Sequence, residues 1–230
     1  MKEDKSVPHY LGHRQRLKEK LIKQGSASLA DYELLELILM LAIPRKDVKP
    51  LAKELIEKFG SFGNVITADN GELLGVSGIK ETGLAAFKII EAAAIKMLLD
   101  ETSKKPIIDS WDKLQDYCKI AMSYNKIEQF RIFFLDIKNR LIADELQQKG
   151  TVNHTPVYPR EVVKRALELG ASSIIMAHNH PSGDASPSQA DIMVTKKVSE
   201  TANAVGITLI DHIIVTKESC FSFREKKMIK

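Results

Sequence analysis

Residues 176–191 read Met176-Ala177-His178-Asn179-His180-Pro181-Ser182-Gly183-Asp184-Ala185-Ser186-Pro187-Ser188-Gln189-Ala190-Asp191, and the rest of the chain is arranged around them. The apolar run Ile174-Ile175-Met176 follows a helix stop at Gly170 and predicts a buried strand. Side chains on a strand alternate faces, so His178 and His180 share one face and Asn179 points the other way. Pro181 removes a ladder donor and Ser182-Gly183-Asp184 supplies turn chemistry, so the two imidazoles sit where the chain leaves the sheet. Ser186 followed by Pro187 predicts the start of a helix, with Ser188 and Asp191 three apart on its first turns and Val194, Val198 and Val205 along its inward face. Two strand-end imidazoles facing a carboxylate at a helix start are the donors a three-ligand zinc site needs, with water completing the tetrahedron.

The order His178, one residue, His180, seven residues, Ser188, two residues, Asp191 resembles the signature of the JAMM/MPN metalloprotease fold. Together with His178 to Asp184, the segment Asp211-His212-Ile213-Ile214-Val215 resembles the bacterial RadC family. The resemblance implies an α/β fold: a mixed-sheet α/β/α JAMM/MPN domain, cytidine-deaminase-like, preceded by a small all-α domain. It also implies a zinc-dependent hydrolase of amide or isopeptide bonds, with Zn2+ held by His178, His180 and Asp191. In JAMM proteases a glutamate placed before the first sheet strand shuttles the proton of the attacking water, and Glu128 matches that position ahead of Phe130. Glu145 is the alternative base, on a second strand that could approach the metal. Ser188 matches the serine that donates to the developing oxyanion.

Other polar residues near this stretch carry less specific expectations. His212 lies in an apolar strand and reads first as a core histidine, with support of a metal ligand as the alternative. His154 is a possible substrate contact. Asp184 and Ser182 are expected to shape the turn, a carboxylate hydrogen-bonded to a ligand imidazole being a common device.

A chain of 230 residues with 44% apolar and 28% charged residues fits one or two globular domains. The net charge of +4 is spread evenly, with 17 basic and 15 acidic residues in 1–105 and the same numbers in 106–230, so there is no strongly basic nucleic-acid arm. Cys118 and Cys220 are too few and too far apart for a disulfide framework, and the charged opening residues lack a signal-peptide core. The longest apolar block, Leu34 to Ile43, is far shorter than the roughly 20 residues of a membrane span. A cytoplasmic protein without membrane contact is the expectation, and oligomeric state is not legible.

Before the sheet, the pattern is helical. Ser28 and Asp31 signal the start of a helix with Leu34, Leu35, Ile38, Leu39 and Leu41 as its core stripe, and Asp47 caps another that ends at Gly60. Leu73 to Ala85 reads as a helix, a glycine-centred hairpin and a longer helix to about Leu99, which resembles the helix-hairpin-helix module of DNA-repair proteins. That resemblance implies contacts to DNA phosphates by Gly78, Ile79 and Lys80. Lys80 stands where many such hairpins carry a second glycine, and packing of helices is the alternative use of the turn. The expected organisation is a helical domain over 1–100, a polar linker over 101–106 closed by Pro106, and the metal domain over 107–230, where strands are expected at 130–137, 140–143, 151–155, 207–216 and 221–223.

Three functions are compatible with this reading. The first is a metallopeptidase or isopeptidase acting on a protein or peptide substrate. The second is a DNA-associated repair or recombination protein whose metal domain acts on nucleic acid, and the third is a noncatalytic interaction scaffold.

Overall fold

The computed structural model describes residues 9–104, 111–149 and 157–229. The chain divides into two compact units, Met1–Ala93 and Ala94–Lys230.

The first unit is helical among its described residues: α1 (His9–Gln24), α2 (Asp31–Ala42), α3 (Lys49–Phe59), α4 (Phe62–Thr67), α5 (Asn70–Leu74) and the start of α6 (Glu81–Lys104). Its core gathers Leu35 and Leu39 of α2, Ala52 and Leu55 of α3, Val65 of α4, Leu73 of α5 and Phe87 of α6. The inward stripe of α2 runs through Leu35, Glu36, Leu39 and Met40, the i, i+4 rows of one helix face. Leu41, expected inside, falls off that face and is 79% exposed. The same helix begins at Asp31 with Ala30 as its cap, while Ser28 closes a short 3-10 turn. Glu33 replaces the missing cap by accepting the Ala30 amide at 3.0 Å. α6 continues through 101–104, so most of the stretch expected as linker is helix. Lysine, glutamate and serine lie within the range of ordinary helix formers, and the polar composition did not end it.

The second unit is a five-stranded mixed sheet in the order β2-β1-β3-β4-β5, built from β1 (Gln129–Leu135), β2 (Leu141–Lys149), β3 (Ser173–Asn179), β4 (Thr208–Val215) and β5 (Cys220–Ser222). β3 and β4 are parallel, joined by α9 (Gln189–Asn203), and the other neighbours are antiparallel. The β1–β2 turn is set by Asn139 at φ 55°, a conformation asparagine tolerates. Alternation along the strands makes two cores. Phe130, Ile132, Phe134, Ile174 and Met176 pack against α8 (Pro159–Glu168) and α9, and Phe133, Leu135, Ile175, Ala177, Ile213 and Val215 pack against α7 (Trp111–Met122). Both faces are covered, so the unit is an α/β/α sandwich. β2 is longer than the four residues expected, while the strand expected at 151–155 and His154 lie outside the described residues.

Candidate metal centre

The pairing Phe130↔His178 brings the start of β1 beside the end of β3. This register places Glu128, one residue before β1, next to the histidines. α9 enters from the layer above the same sheet face. Its cap is Ser188 and not Ser186, because Ser188 and Asp191 form a reciprocal capping box. The Asp191 amide donates to Ser188 Oγ at 3.2 Å, and the Ser188 amide and hydroxyl donate to Asp191 Oδ2 at 2.7 and 2.6 Å. A local hydrogen-bonding gain at the helix terminus outcompetes the proline preference that pointed to an earlier start. Along the inward face of α9, Asp191 is followed by Thr195, Val198 and Ala202; Val194 is half-buried and Val205 exposed.

One donor atom each from Glu128, His178, His180 and Asp191 lies within 4.8 Å of the others, the one such cluster among the described residues. His178 Nε2 is 2.9 Å from His180 Nε2 and 3.3 Å from Asp191 Oδ1, and His180 Nε2 is 3.5 Å from Asp191 Oδ2. Donors bonded at about 2.0–2.2 Å to one tetrahedral zinc stand about 3.3–3.6 Å apart; the two nitrogen-to-carboxylate separations match that spacing, the two imidazole nitrogens stand closer at 2.9 Å, and the N, N, O donor set is the one zinc takes. His180 Nδ1 lies 2.7 Å from the Asp184 carbonyl, which only accepts, so that nitrogen carries the proton and Nε2 keeps its lone pair. It is this carbonyl, and not the Asp184 carboxylate, that orients the ring: the carboxylate accepts the Ser186 amide and shapes the turn.

Electrostatics follow burial. His178 is fully buried, stacked on Phe130 with centroids 5.5 Å apart, and desolvation pushes its pKa down to about 4 despite nearby Asp191. His180 is shifted upward, first because its protonated ring gains a hydrogen bond to Asp191, and against partial burial. For Asp191 burial acts upward, but the bond with His180, the neighbouring His178 and the two Ser188 donors outweigh it, so the carboxylate is held below its usual range. Fixed carboxylate and neutral imidazole are the forms that bind metal.

Two residues behind these donors were poorly legible in the sequence. His212, paired with Met176 across β4, places Nε2 2.8 Å from His178 Nδ1, and its Nδ1 is 2.6 Å from Thr195 Oγ1. Asn179 points to the α7 side as expected, and its amide spends every bond on the segment that carries Glu128. It donates to the Asn125 and Ile127 carbonyls at 3.1 and 3.2 Å and accepts the Gln129 amide at 2.7 Å. The residue between the two histidines thus clamps both sides of Glu128. Glu145 is held elsewhere, doubly bonded to Arg165 of α8 at 2.6–3.0 Å. Cys118 and Cys220 are free and outside the cluster.

The hairpin of the helical unit turns its apolar residues into the core of that unit. Val76 and Ile79 are buried, and the Ile79 amide donates to the Val76 carbonyl at 3.0 Å, so Ile79 offers a phosphate neither side chain nor N–H. Gly78 adopts φ 100°, and a Cβ there would stand 3.3 Å from Leu51. Lys80 is exposed, but Glu81 places a carboxylate in the first turn of α6 where an anion would bind. Gly78 and Lys80 also border an open groove of about 490 Å³ with Pro44, Lys46 and Leu51.

Residues 108–228 match the RadC-like JAB domain and residues 9–85 the UPF0758 N-terminal domain. A UPF0758 protein of Ruegeria pomeroyi is 51% identical over 219 residues, covering 95% of this chain and 98% of its own length. A UPF0758 protein of Rhodobacter capsulatus is 51% identical over 213 residues, covering 93% and 100%. The sheet unit with its His, Asp and Glu cluster is therefore a JAB/MPN domain behind a helical N-terminal region, and the chain belongs to the RadC-like, UPF0758 family.

Proposed function

We propose that the protein is a zinc-dependent hydrolase of amide or isopeptide bonds in protein or peptide substrates. The observation that carries this reading is the convergence of Glu128, His178, His180 and Asp191 on one point at the end of β3. His178, His180 and Asp191 would hold the metal, leaving Glu128 beside it. Bound there, zinc supplies a Lewis acid and lowers the pKa of water to about 7. Glu128 takes the proton of the attacking water and returns it to the leaving amine, as its half-buried carboxylate next to the cluster allows. Ser188 gives its hydroxyl proton to Asp191 and so orients that carboxylate. Peptide bonds are favoured over phosphodiesters because no second carboxylate cluster for a two-metal site exists among the described residues. A noncatalytic scaffold would have no use for a complete donor set with a glutamate beside it.

For the helical unit we carry forward only a weak, sequence-independent DNA contact through Gly78 and Lys80.

Metal analysis and a substrate screen test the main reading. Purified protein should contain one zinc per chain, Asp191→Ala should lose it, and peptide or isopeptide hydrolysis should stop on chelation. Equal zinc content in wild type and Asp191→Ala would overturn the site.

A further inference from the structure

We infer that Thr195 and His212 form a buried hydrogen-bond relay that fixes the ring tautomer of His178, keeping its Nε2 bare and facing the metal position. The inference rests on the reading of His178, His180 and Asp191 as a metal site.

Proton counting carries it. Thr195 Oγ1 lies 2.5 Å from the Asp191 carbonyl, and a carbonyl only accepts, so the single hydroxyl proton of Thr195 is committed there. Thr195 Oγ1 also lies 2.6 Å from His212 Nδ1. With its own proton spent, the hydroxyl must accept, and His212 Nδ1 therefore carries the hydrogen. A neutral His212 then has a bare Nε2, which stands 2.8 Å from His178 Nδ1. That contact is a hydrogen bond only if His178 Nδ1 is protonated, and the neutral His178 ring is left with a bare Nε2. This is the atom 2.9 Å from His180 Nε2 and 3.3 Å from Asp191 Oδ1.

The reverse order fails at one point. A proton on His178 Nε2 would require His212 to donate from Nε2 and to accept at Nδ1. Thr195 would then give its proton to His212, leaving two oxygen lone pairs 2.5 Å apart at Asp191. The favoured order also sets two lone pairs together, His178 Nε2 and His180 Nε2 at 2.9 Å, but it does so at the metal position, where a cation takes both, whereas nothing can relieve the pair at Asp191. Neither water nor rearrangement offers relief, because His178 and His212 are fully buried and Thr195 nearly so. The rings are packed in an aromatic column, His178 on Phe130 and His212 on Phe223 with centroids 5.5 and 4.8 Å apart. His180 receives its matching tautomer from the Asp184 carbonyl on the open side. The two histidines are thus oriented by independent devices, one a turn carbonyl and the other a helix-to-strand relay. Because Asp191 contributes its carboxylate to the cluster and its carbonyl to Thr195, the relay also ties two of the three ligands together behind the metal position.

The test uses full-length protein labelled with 15N-histidine. Two-bond 1H–15N spectra of chelator-treated protein read the tautomer directly, with His178→Asn assigning the His178 signals, and chelator competition reads zinc affinity. Wild type and Thr195→Ser should show His178 protonated at Nδ1. Thr195→Val should move that proton toward Nε2 and weaken zinc binding by about 10- to 100-fold, the usual effect of losing such an outer partner. Should Thr195→Val not fold, His212→Gln serves. Its carbonyl accepts from His178 and its amide donates to Thr195, so it should keep zinc far better than His212→Leu. Protonation of wild-type His178 at Nε2 would overturn the relay, as would equal zinc affinity in Thr195→Val and wild type, or in His212→Gln and His212→Leu. The expected tautomers in a wild type that retains no zinc would support the relay and defeat the metal reading alone.

Discussion

Neither unit is strongly charged, and the two bury polar groups very differently. Among the described residues of the helical unit the buried polar side chains are Glu36, which bonds to His13 at 2.9 Å, and Thr67. In the sheet unit His178, Asn179, Asp191, Thr195, Asp211 and His212 are all buried, and most lie at or beside one end of β3 and β4. Burying a polar group costs free energy unless its bonds are satisfied, and such networks are stabilising only when complete. A helical core that is almost wholly apolar needs no such arrangement. The sheet unit concentrates its buried polar groups in one corner, where all but the bare imidazole nitrogens facing Asp191 have hydrogen-bond partners.

Four expected outcomes break or sharpen this contrast. The largest is Glu128→Gln, which should keep zinc and fold while hydrolysis falls by about 10²- to 10⁴-fold, because the amide cannot accept the water proton. Glu145→Gln should lose only its Arg165 bonds and stay active. An inactive Glu145→Gln beside an active Glu128→Gln, in the same peptide assay, would reverse the assignment of the base.

Asn179→Ala should destabilise the sheet unit by about 3 kcal/mol or more, since three backbone groups around Glu128 lose their partner. Zinc should remain, and urea denaturation together with metal analysis separates the two effects. Loss of zinc with unchanged stability would show that Asn179 serves the ligands and not the loop.

The third outcome is acid sensitivity of the metal-free protein. The folded pKa of His178 is about 4, below the ordinary value of 6.5, and His212 is depressed in the same direction by burial. The unfolded chain therefore binds more protons between these values, so the contribution is present above about 6.5 and lost as pH falls toward 4. His180, shifted upward, acts oppositely but is only half-buried. The unfolding free energy of chelator-treated protein from urea titrations at pH 7.5, 5.5 and 4.5 should fall steadily, by about 2–3 kcal/mol in all. A flat profile would mean that the buried rings are not neutral in the folded state.

The smallest effects belong to the helical unit. Gly78→Val forces a β-branched residue into φ 100° against Leu51 and should cost about 1–2 kcal/mol, leaving zinc content and hydrolysis unchanged. Lys80→Glu should leave stability within about 0.5 kcal/mol. Any binding of duplex DNA by the full chain should be weak, fall with salt, and weaken further in Lys80→Glu, read by fluorescence titration. Binding untouched by either substitution would make the hairpin a packing turn only.

The sequence by itself determined the elements that local rules can set. Period-two alternation put His178 and His180 on one face, the Pro181 turn ended the strand, and Glu128 stood directly before an aromatic strand. Signals resting on a choice between local options were shifted: the α9 cap moved from Ser186 to Ser188, and the linker became helix up to Lys104. Only the tertiary structure decided what lies across elements. Asn179 meets partners 50 to 54 residues away, Glu145 is claimed by Arg165 of a helix, and His212 meets Thr195 and His178 from a different strand. The physical reason is that strand period and capping are properties of neighbouring residues, whereas a buried donor finds its acceptor only after sheet register and helix packing have closed the space around both.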